Sequence, residues 1–421
     1  MRNLWWIVVY YLALMAILLS WGNASEAPPL FFRVLFFVAV VAPSFFSKVP
    51  LLLVASVFLT ITLYGNTYSY MPTSLSLYVV VAIVYYLYIV ISSKNIKSYL
   101  PQNNLLLLLL LSFIVNLLSG GGIKNITWSL LLIVLLKPLL DSNDKVTAHL
   151  FTVSFIVVSL VLSGLFLVVG DQYTQIYDVE EGLERSGWVD PNYFCSIIGM
   201  GAVVALCEIM SSKKPLVIIL FLLAVLLISV FTMVSIASRG ALLALSVSVI
   251  ILLFTSKIKP FPKIILLGLI ALFIYWMYTS STFDLLLYRI ENDDNGGSGR
   301  TKIWSAKLGE FMSHGSFTEL LFGVGFDNAM ELGSSVTKKG VHNDYLAFFI
   351  EYGLCGVVLF LYTLLSPFFK VKERNNRPIV LGLTAYIAIC VVTLEPMTLG
   401  ILFFYVFYSY IDYLSLSSIK R

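Results

Sequence analysis

Most of the polar chemistry open to this chain rests on three arginines and a histidine: Arg185, Arg239, Arg300 and His342. His342 stands in Val341-His-Asn-Asp-Tyr-Leu346, ahead of an apolar run that contains Glu351, Gly353 and Gly356. An imidazole at the mouth of a membrane span is reachable from water, and its ordinary pKa near 6.5 suits proton abstraction. Taken alone, it fits a helix cap or a packing role as well. Arg239 interrupts the apolar stretch 215–255 as Ala237-Ser-Arg-Gly240. A cation at membrane depth costs about 2.5–3.5 kcal/mol and marks a functional site by default; the plainer reading is an arginine that snorkels from a tight turn. Arg300 follows Gly-Gly-Ser-Gly and opens a helix. The macrodipole disfavours a cation there, so it calls for another partner, such as a ligand phosphate. Arg185 is the lone base of an acidic loop, where an ion pair with Glu181 or Glu184 competes with ligand contact. Arginine is the residue for bidentate phosphate recognition. Three of them around one outer cavity would suit a diphosphate, with His342 as a base beside it.

Other chemistries find no support in the residues. There is no Walker loop, no GxGxxG and no DxD pair, and His149, His314 and His342 are too scattered for a two-histidine metal motif. Neither nucleotide nor metal dependence is expected, and no cofactor. Cys195, Cys207, Cys355 and Cys390 lie in apolar stretches and read as small hydrophobes. His149 opens a span and His314 sits in a Ser-His-Gly turn, and both read as structural or solvated residues.

These side chains need a membrane scaffold to hold them. Of 421 residues, 59% are apolar and 12% charged, half the charge of a soluble domain. That balance excludes a disordered chain, a nucleic-acid-binding domain and an ordinary cytosolic enzyme. Apolar runs long enough to cross a bilayer recur from residue 4 to residue 415, giving an all-α bundle of about 12–14 spans. The later ones fall at 105–119, 128–140, 147–169, 192–210, 215–237, 240–256, 263–279, 344–364, 379–394 and 397–415. A signal-peptide reading of 4–24 is set aside, because the downstream alternation needs a first helix. Lys48, Lys94, Lys97, Lys213, Lys214, Lys257, Lys370 and Arg421 fall on one set of loops, so both termini are expected in the cytoplasm. The domain plan is 1–169, N-terminal spans; 170–279, central spans with an acidic outer loop at 170–191; 280–343, a large outer loop; and 344–421, C-terminal spans. Within the large loop, Ile303, Trp304, Leu308, Phe311 and Met312 share one face of a helix over Thr301–Met312, as suits a helix lying on the membrane surface.

The segments His342-Asn343 with Gly353-Leu-Cys-Gly356, Ser238-Arg-Gly-Ala-Leu-Leu243 and Gly299-Arg300 through Trp304 together resemble the signature stretches of the bacterial O-antigen ligase and O-antigen polymerase superfamily. Asp190-Pro-Asn192 resembles that family's loop before its central helices, and the resemblance covers mainly residues 180–400. It implies a GT-C-like, metal-independent glycosyltransferase in the bacterial inner membrane, with its site on the periplasmic face. The donor would be an undecaprenyl-diphosphate-linked oligosaccharide and the acceptor a second glycan, among membrane lipids and with a possible chain-length regulator protein. By position, Arg239, Arg300 and Arg185 match diphosphate-binding arginines, His342 the essential histidine and Glu395 an acidic residue near the C-terminus, with Asn343 in support. The leading expectation is a polymerase. A ligase moving the chain to lipid A-core is the close alternative, and a lipid-linked glycan transporter a distant one, since no internal repeat is visible.

Overall fold

The computed structural model of the chain describes residue 31, 103–119, most of 156–168, 174–178, 183–186, 191–211, 214–256, 260–291, 299–325, 328–330, 332, 341–371 and 377–393. The expected spans before residue 103, the one at 397–415 and Glu395 lie outside the described residues.

Long apolar sequence in lipid must satisfy every backbone group within its own segment, which leaves helix as the solution. The helices are α1 (Asn103–Ser119), α2 (Pro191–Ser211), α3 (Leu216–Ser235), α4 (Arg239–Thr255), α5 (Pro260–Thr279), α6 (Asp284–Glu291), α7 (Arg300–His314), α8 (Phe317–Phe322), α9 (Asp344–Lys370) and α10 (Arg377–Thr393). Among the described residues, two helices are long and apolar enough to cross a membrane, Leu216–Ser235 and Asp344–Ser366. Leu216, Val217, Leu220 and Phe221 of α3 and Ile264, Leu272, Ile274 and Trp276 of α5 are exposed. Contiguous apolar surface of this kind is what a lipid-facing wall presents.

Small and hydroxylated residues let the inner helices approach closely, as they do in membrane bundles. Ser248 donates to the Gly382 carbonyl at 2.9 Å, joining α4 to α10. A side chain at Gly382 would run into Leu252. Tyr386 of α10 donates to the Ser196 carbonyl of α2 at 2.7 Å, over Gly199, where any Cβ would collide with the tyrosine. Ser159 donates to the Ile198 carbonyl at 2.8 Å and lies 3.0 Å from the Ser229 hydroxyl, drawing α2 and α3 together.

The architecture is helical with one addition. In the acidic loop, strands β1 (Thr174–Asp178) and β2 (Leu183–Ser186) pair antiparallel, with Gln175 opposite Arg185 and Ile176 opposite Glu184. Between 280 and 343, two further helices, α6 and α8, flank the expected surface helix.

Candidate active site

Three of the anticipated residues occupy the ends of helices. α3 closes in a Schellman turn: Ala237 N–H donates to the Val234 carbonyl at 2.8 Å and Ser238 N–H to the Met233 carbonyl at 3.1 Å. Ala237 takes the left-handed position at φ +55°, where glycine is the usual occupant. The chain thus reverses over 236–238, and Arg239 becomes the first residue of α4. The break in the apolar run is a turn between two helices, so Arg239 stands at a helix end and not within one long span. Ser238 caps no amide of α4; its hydroxyl donates to Asn192 Oδ1 at 3.2 Å. That bond joins the Ser-Arg-Gly segment to the Asp-Pro-Asn segment at the start of α2. Arg300 is likewise the first residue of α7, behind Gly299 at φ +76°, again without a side-chain cap.

His342 is half-buried and left-handed, with φ +50°. A non-glycine residue held there costs of order 1–3 kcal/mol and persists only where its neighbours fix it. Both neighbours are fixed. The Trp304 indole N–H donates to the Val341 carbonyl at 2.8 Å, and Val341 is fully buried. On the other side Asn343 caps α9, its Oδ1 accepting from Leu346 N–H at 3.2 Å and its carbonyl from Ala347 N–H at 2.8 Å. Asn343 therefore supports His342 through the backbone. Asp344, only 1% exposed, follows in the first turn of α9, where the macrodipole favours an acid. The signal for Asp344 in the sequence is an acid directly behind the His-Asn pair at a helix start.

The hydrogen bonds between helices bring these ends to one level. α4 and α10 run antiparallel with Ser248 beside Gly382. Nine residues back along α4, about 13 Å at 1.5 Å per residue, Arg239 reaches the level of Val391. Tyr345 of α9 donates to the Ala388 carbonyl at 3.1 Å, one turn below that level. Tyr386 ties α10 to Ser196, one turn into α2. The starts of α2, α4 and α9 thus gather around the C-terminal end of α10. Two bonded pairs result, Asn192 with Ser238, next to Arg239, and Trp304 with the Val341 carbonyl, next to His342. Arg185 lies in β2, and the five residues that lead to Pro191 span at most about 18 Å.

α7 differs from expectation in the face it buries. Ile303, Lys307 and Phe311 are buried while Leu308 and Met312 stay exposed. Phe311 packs with Val341, Ala347 and Ile350 and meets Phe349 edge-on at 5.4 Å. The helix docks on its own loop and on α9, so its inner stripe is Arg300, Trp304, Lys307 and Phe311, at helical spacing. A lysine on an inner face is not legible from type. Here Nζ donates to the carbonyls of Ala329 and Leu332, which satisfies the charge and holds that turn against α7.

α9 is broken at Gly353, at φ 64° and ψ −163°, a conformation essentially confined to glycine. Two carbonyls lose their helical partners there and accept from the outer loop instead: Val324 N–H to Ile350 at 3.0 Å and Gly325 N–H to Glu351 at 2.9 Å. A cavity of about 980 Å³ opens beside this junction, between the end of α1 and the 316–332 segment. Ser119, Thr318, Glu319 and Asn328 line its polar side, and Val115, Leu118 and Phe322 its apolar side.

Glu319 belongs to a capping box on α8, accepting from the Ser316 N–H at 2.7 Å and from its hydroxyl at 2.8 Å. The Ser316 backbone N–H, and then its hydroxyl, hold the Glu319 carboxyl below its ordinary value. A depressed carboxyl contributes stability above its unfolded pKa and loses it as pH falls through the folded one. Protection of the α8 amides, measured against their intrinsic exchange rate at each pH, is therefore expected to be higher at neutral pH and to fall below about pH 4. Glu319→Gln should exchange faster at neutral pH and converge with the wild type in acid; identical exchange at both pH values would remove the box from the argument.

Residues 222–361 match the family model of the O-antigen ligase domain, Wzy_C, which supports the O-antigen ligase and polymerase superfamily read from the motifs. Members of that family are membrane-embedded, glycosyltransferase-like enzymes of surface polysaccharide assembly, working on lipid-linked glycan and acceptor substrates. The matched third of the chain holds Arg239, Arg300, His342, Gly353 and Gly356, while Arg185 and Glu395 fall outside it. Among curated proteins none matches the chain.

Proposed function

We propose that this chain is a polytopic, GT-C-like glycosyltransferase of a bacterial inner membrane, whose site faces the periplasm and which joins one polyprenyl-diphosphate-linked glycan to another. The observation that carries the proposal is a pair of arginines, each opening a helix with no side-chain cap, at the same end of the bundle as a strained histidine. Guanidinium groups placed at helix N-termini, where the macrodipole adds positive potential, are suited to the charge of a diphosphate. In the reaction an acceptor hydroxyl attacks the anomeric carbon of the donor sugar. The bond from that carbon to the phosphate oxygen breaks, and the lipid diphosphate leaves with the electron pair as a stable anion that needs no proton. Arg239 and Arg300 stabilise the charge that grows on it, Arg185 and Glu395 being further candidates around the same group. His342 takes the proton that the acceptor hydroxyl loses, a contribution of typically 10²–10⁴-fold. The mixed lining of the 980 Å³ cavity suits the acceptor saccharide. The donor is read as an undecaprenyl-diphosphate-linked oligosaccharide, and no metal is assigned a role.

The test is turnover by the purified chain in lipid nanodiscs, with a defined polyprenyl-diphosphate-linked saccharide and a chelator present. Longer lipid-linked glycan with release of the lipid diphosphate supports the polymerase reading. The name of the matching domain favours a second reading, a ligase; glycan that ends on a lipid A-core acceptor would establish that one. Movement of intact donor between leaflets without bond exchange would replace both with a transporter. Arg239→Lys should raise the donor KM at least tenfold, because a point charge does not replace a bidentate fork. Unchanged donor affinity in that variant would detach Arg239 from the diphosphate.

A further inference from the structure

We infer that Trp304 is a positioning residue for His342: its indole N–H, through the Val341 carbonyl, sets the backbone angle from which the imidazole is presented. The inference rests on His342 being the base proposed above, and goes beyond that role to name the group that aims it.

Three observations converge on the tryptophan. Its hydrogen bond to the Val341 carbonyl, at 2.8 Å, links positions 37 residues apart and ends on the peptide group that directly precedes His342. That peptide is immobile on its other face, where fully buried Val341 packs with Phe311, Ala347 and Ile350. His342 itself holds φ +50°, a left-handed conformation that carries a cost for a residue with a Cβ and is favoured when the flanking peptides are constrained. Asn343 constrains the C-terminal side as the cap of α9. Trp304 constrains the N-terminal side.

The same residue lies one helical turn beyond Arg300, on the side of α7 that meets the Val341 carbonyl. α7 therefore sets Arg300 and His342 relative to each other. A ligand that pulls on the guanidinium moves a helix whose next turn is bonded to the peptide before the base. This accounts for a tryptophan four residues behind the arginine: the position needs a wide ring that packs with the Phe311 cluster and also ends in a donor. Phenylalanine packs but donates nothing, so Trp304→Phe isolates the hydrogen bond.

The experiment uses the full chain in nanodiscs, with Trp304→Phe and, as a closer isostere that lacks only the donor, 3-benzothienylalanine at position 304. Two readouts are taken. In glycan transfer, kcat is expected to fall about 10–100-fold, in line with a displacement of about 1 Å at a reacting group, while donor KM stays within about twofold. In the nitrogen NMR spectrum of histidine-labelled protein, the chain contributes only His149, His314 and His342. The His342 imidazole signal and its titration midpoint are expected to shift, with the other two unmoved. An unshifted His342 signal together with wild-type kcat in both variants overturns the inference. So does a parallel loss of kcat, donor affinity and thermal stability with all three signals displaced, which is the pattern of a packing residue. A wild-type protein that transfers no glycan refutes the proposed function alone, since the NMR arm still reads the coupling of Trp304 to His342.

Discussion

His342→Gly is expected to abolish glycan transfer while leaving the stability of the protein within about 1 kcal/mol of the wild type. The two effects have different origins. Loss of the imidazole removes the acceptor of the hydroxyl proton, and general-base assistance of this kind is worth roughly 10²–10⁴-fold. The backbone at position 342 is left-handed, at φ +50°, where a side chain costs about 1–2 kcal/mol. Glycine releases that strain and gives back about 0.5–1 kcal/mol through its greater freedom in the unfolded chain. Contacts of the imidazole with its surroundings set the final balance, and the net change is expected within about 1 kcal/mol of zero. His342→Asn is a companion test, because asparagine tolerates this conformation better than most side chains. A structural histidine behaves in the opposite way, with transfer and melting temperature falling together. Thermal unfolding in detergent beside a transfer assay separates the two. A melting temperature many degrees lower, or transfer at the wild-type rate, would defeat the assignment of His342 as a strained base.

The parts of this site that were legible in the sequence are those that depend on residue type at a boundary. Apolar runs predicted helices over 192–210, 215–237, 240–256, 263–279 and 379–394. The observed helices, Pro191–Ser211, Leu216–Ser235, Arg239–Thr255, Pro260–Thr279 and Arg377–Thr393, differ by at most three residues at either end. Hydrophobic length is a strong signal when the alternative is an unpaired backbone in lipid. The break between 215–237 and 240–256 was anticipated, but its left-handed turn was not, because Ala237 occupies a position where glycine would have announced it. Only Arg239 betrayed the break. Lys307 was invisible for a related reason: its partners are backbone carbonyls of Ala329 and Leu332, and carbonyls have no letter in a sequence. The same holds for Trp304, whose partner is the Val341 carbonyl. The side-chain pair Ser238 and Asn192 joins two motifs that were recognised separately. Its existence depends on the packing of α4 against α2, which no local pattern encodes.

Gly353→Ala is expected to destabilise the protein by about 3 kcal/mol or more and to end glycan transfer, although Gly353 touches no reacting group. The conformation at φ 64° and ψ −163° alone costs of order 1–3 kcal/mol for any residue with a Cβ. The methyl group would also collide with the backbone of Leu321 and Phe322, which cannot step aside as a flexible side chain could. Moving that segment away breaks the bonds from Val324 to Ile350 and from Gly325 to Glu351, at 3.0 and 2.9 Å, and strands two carbonyls of a broken helix. Gly323 faces the same junction from the other side, where a Cβ would strike the backbone of Glu351 and Tyr352. Gly323→Ala should therefore match Gly353→Ala, and the double variant should cost clearly less than the sum of the two, because one interface is lost once. Gly309→Ala supplies the contrast: it lies inside α7 with nothing within 4 Å of its would-be Cβ. There alanine gains about 0.5–1 kcal/mol of helix propensity and should keep full transfer. Opposite signs from the same chemical change, in one loop and its docking site, would tie activity to how the outer segment sits on the broken helix. If Gly353→Ala folds and transfers normally, α9 does not need its break, and the loop does not need α9 to hold His342 and Arg300 together.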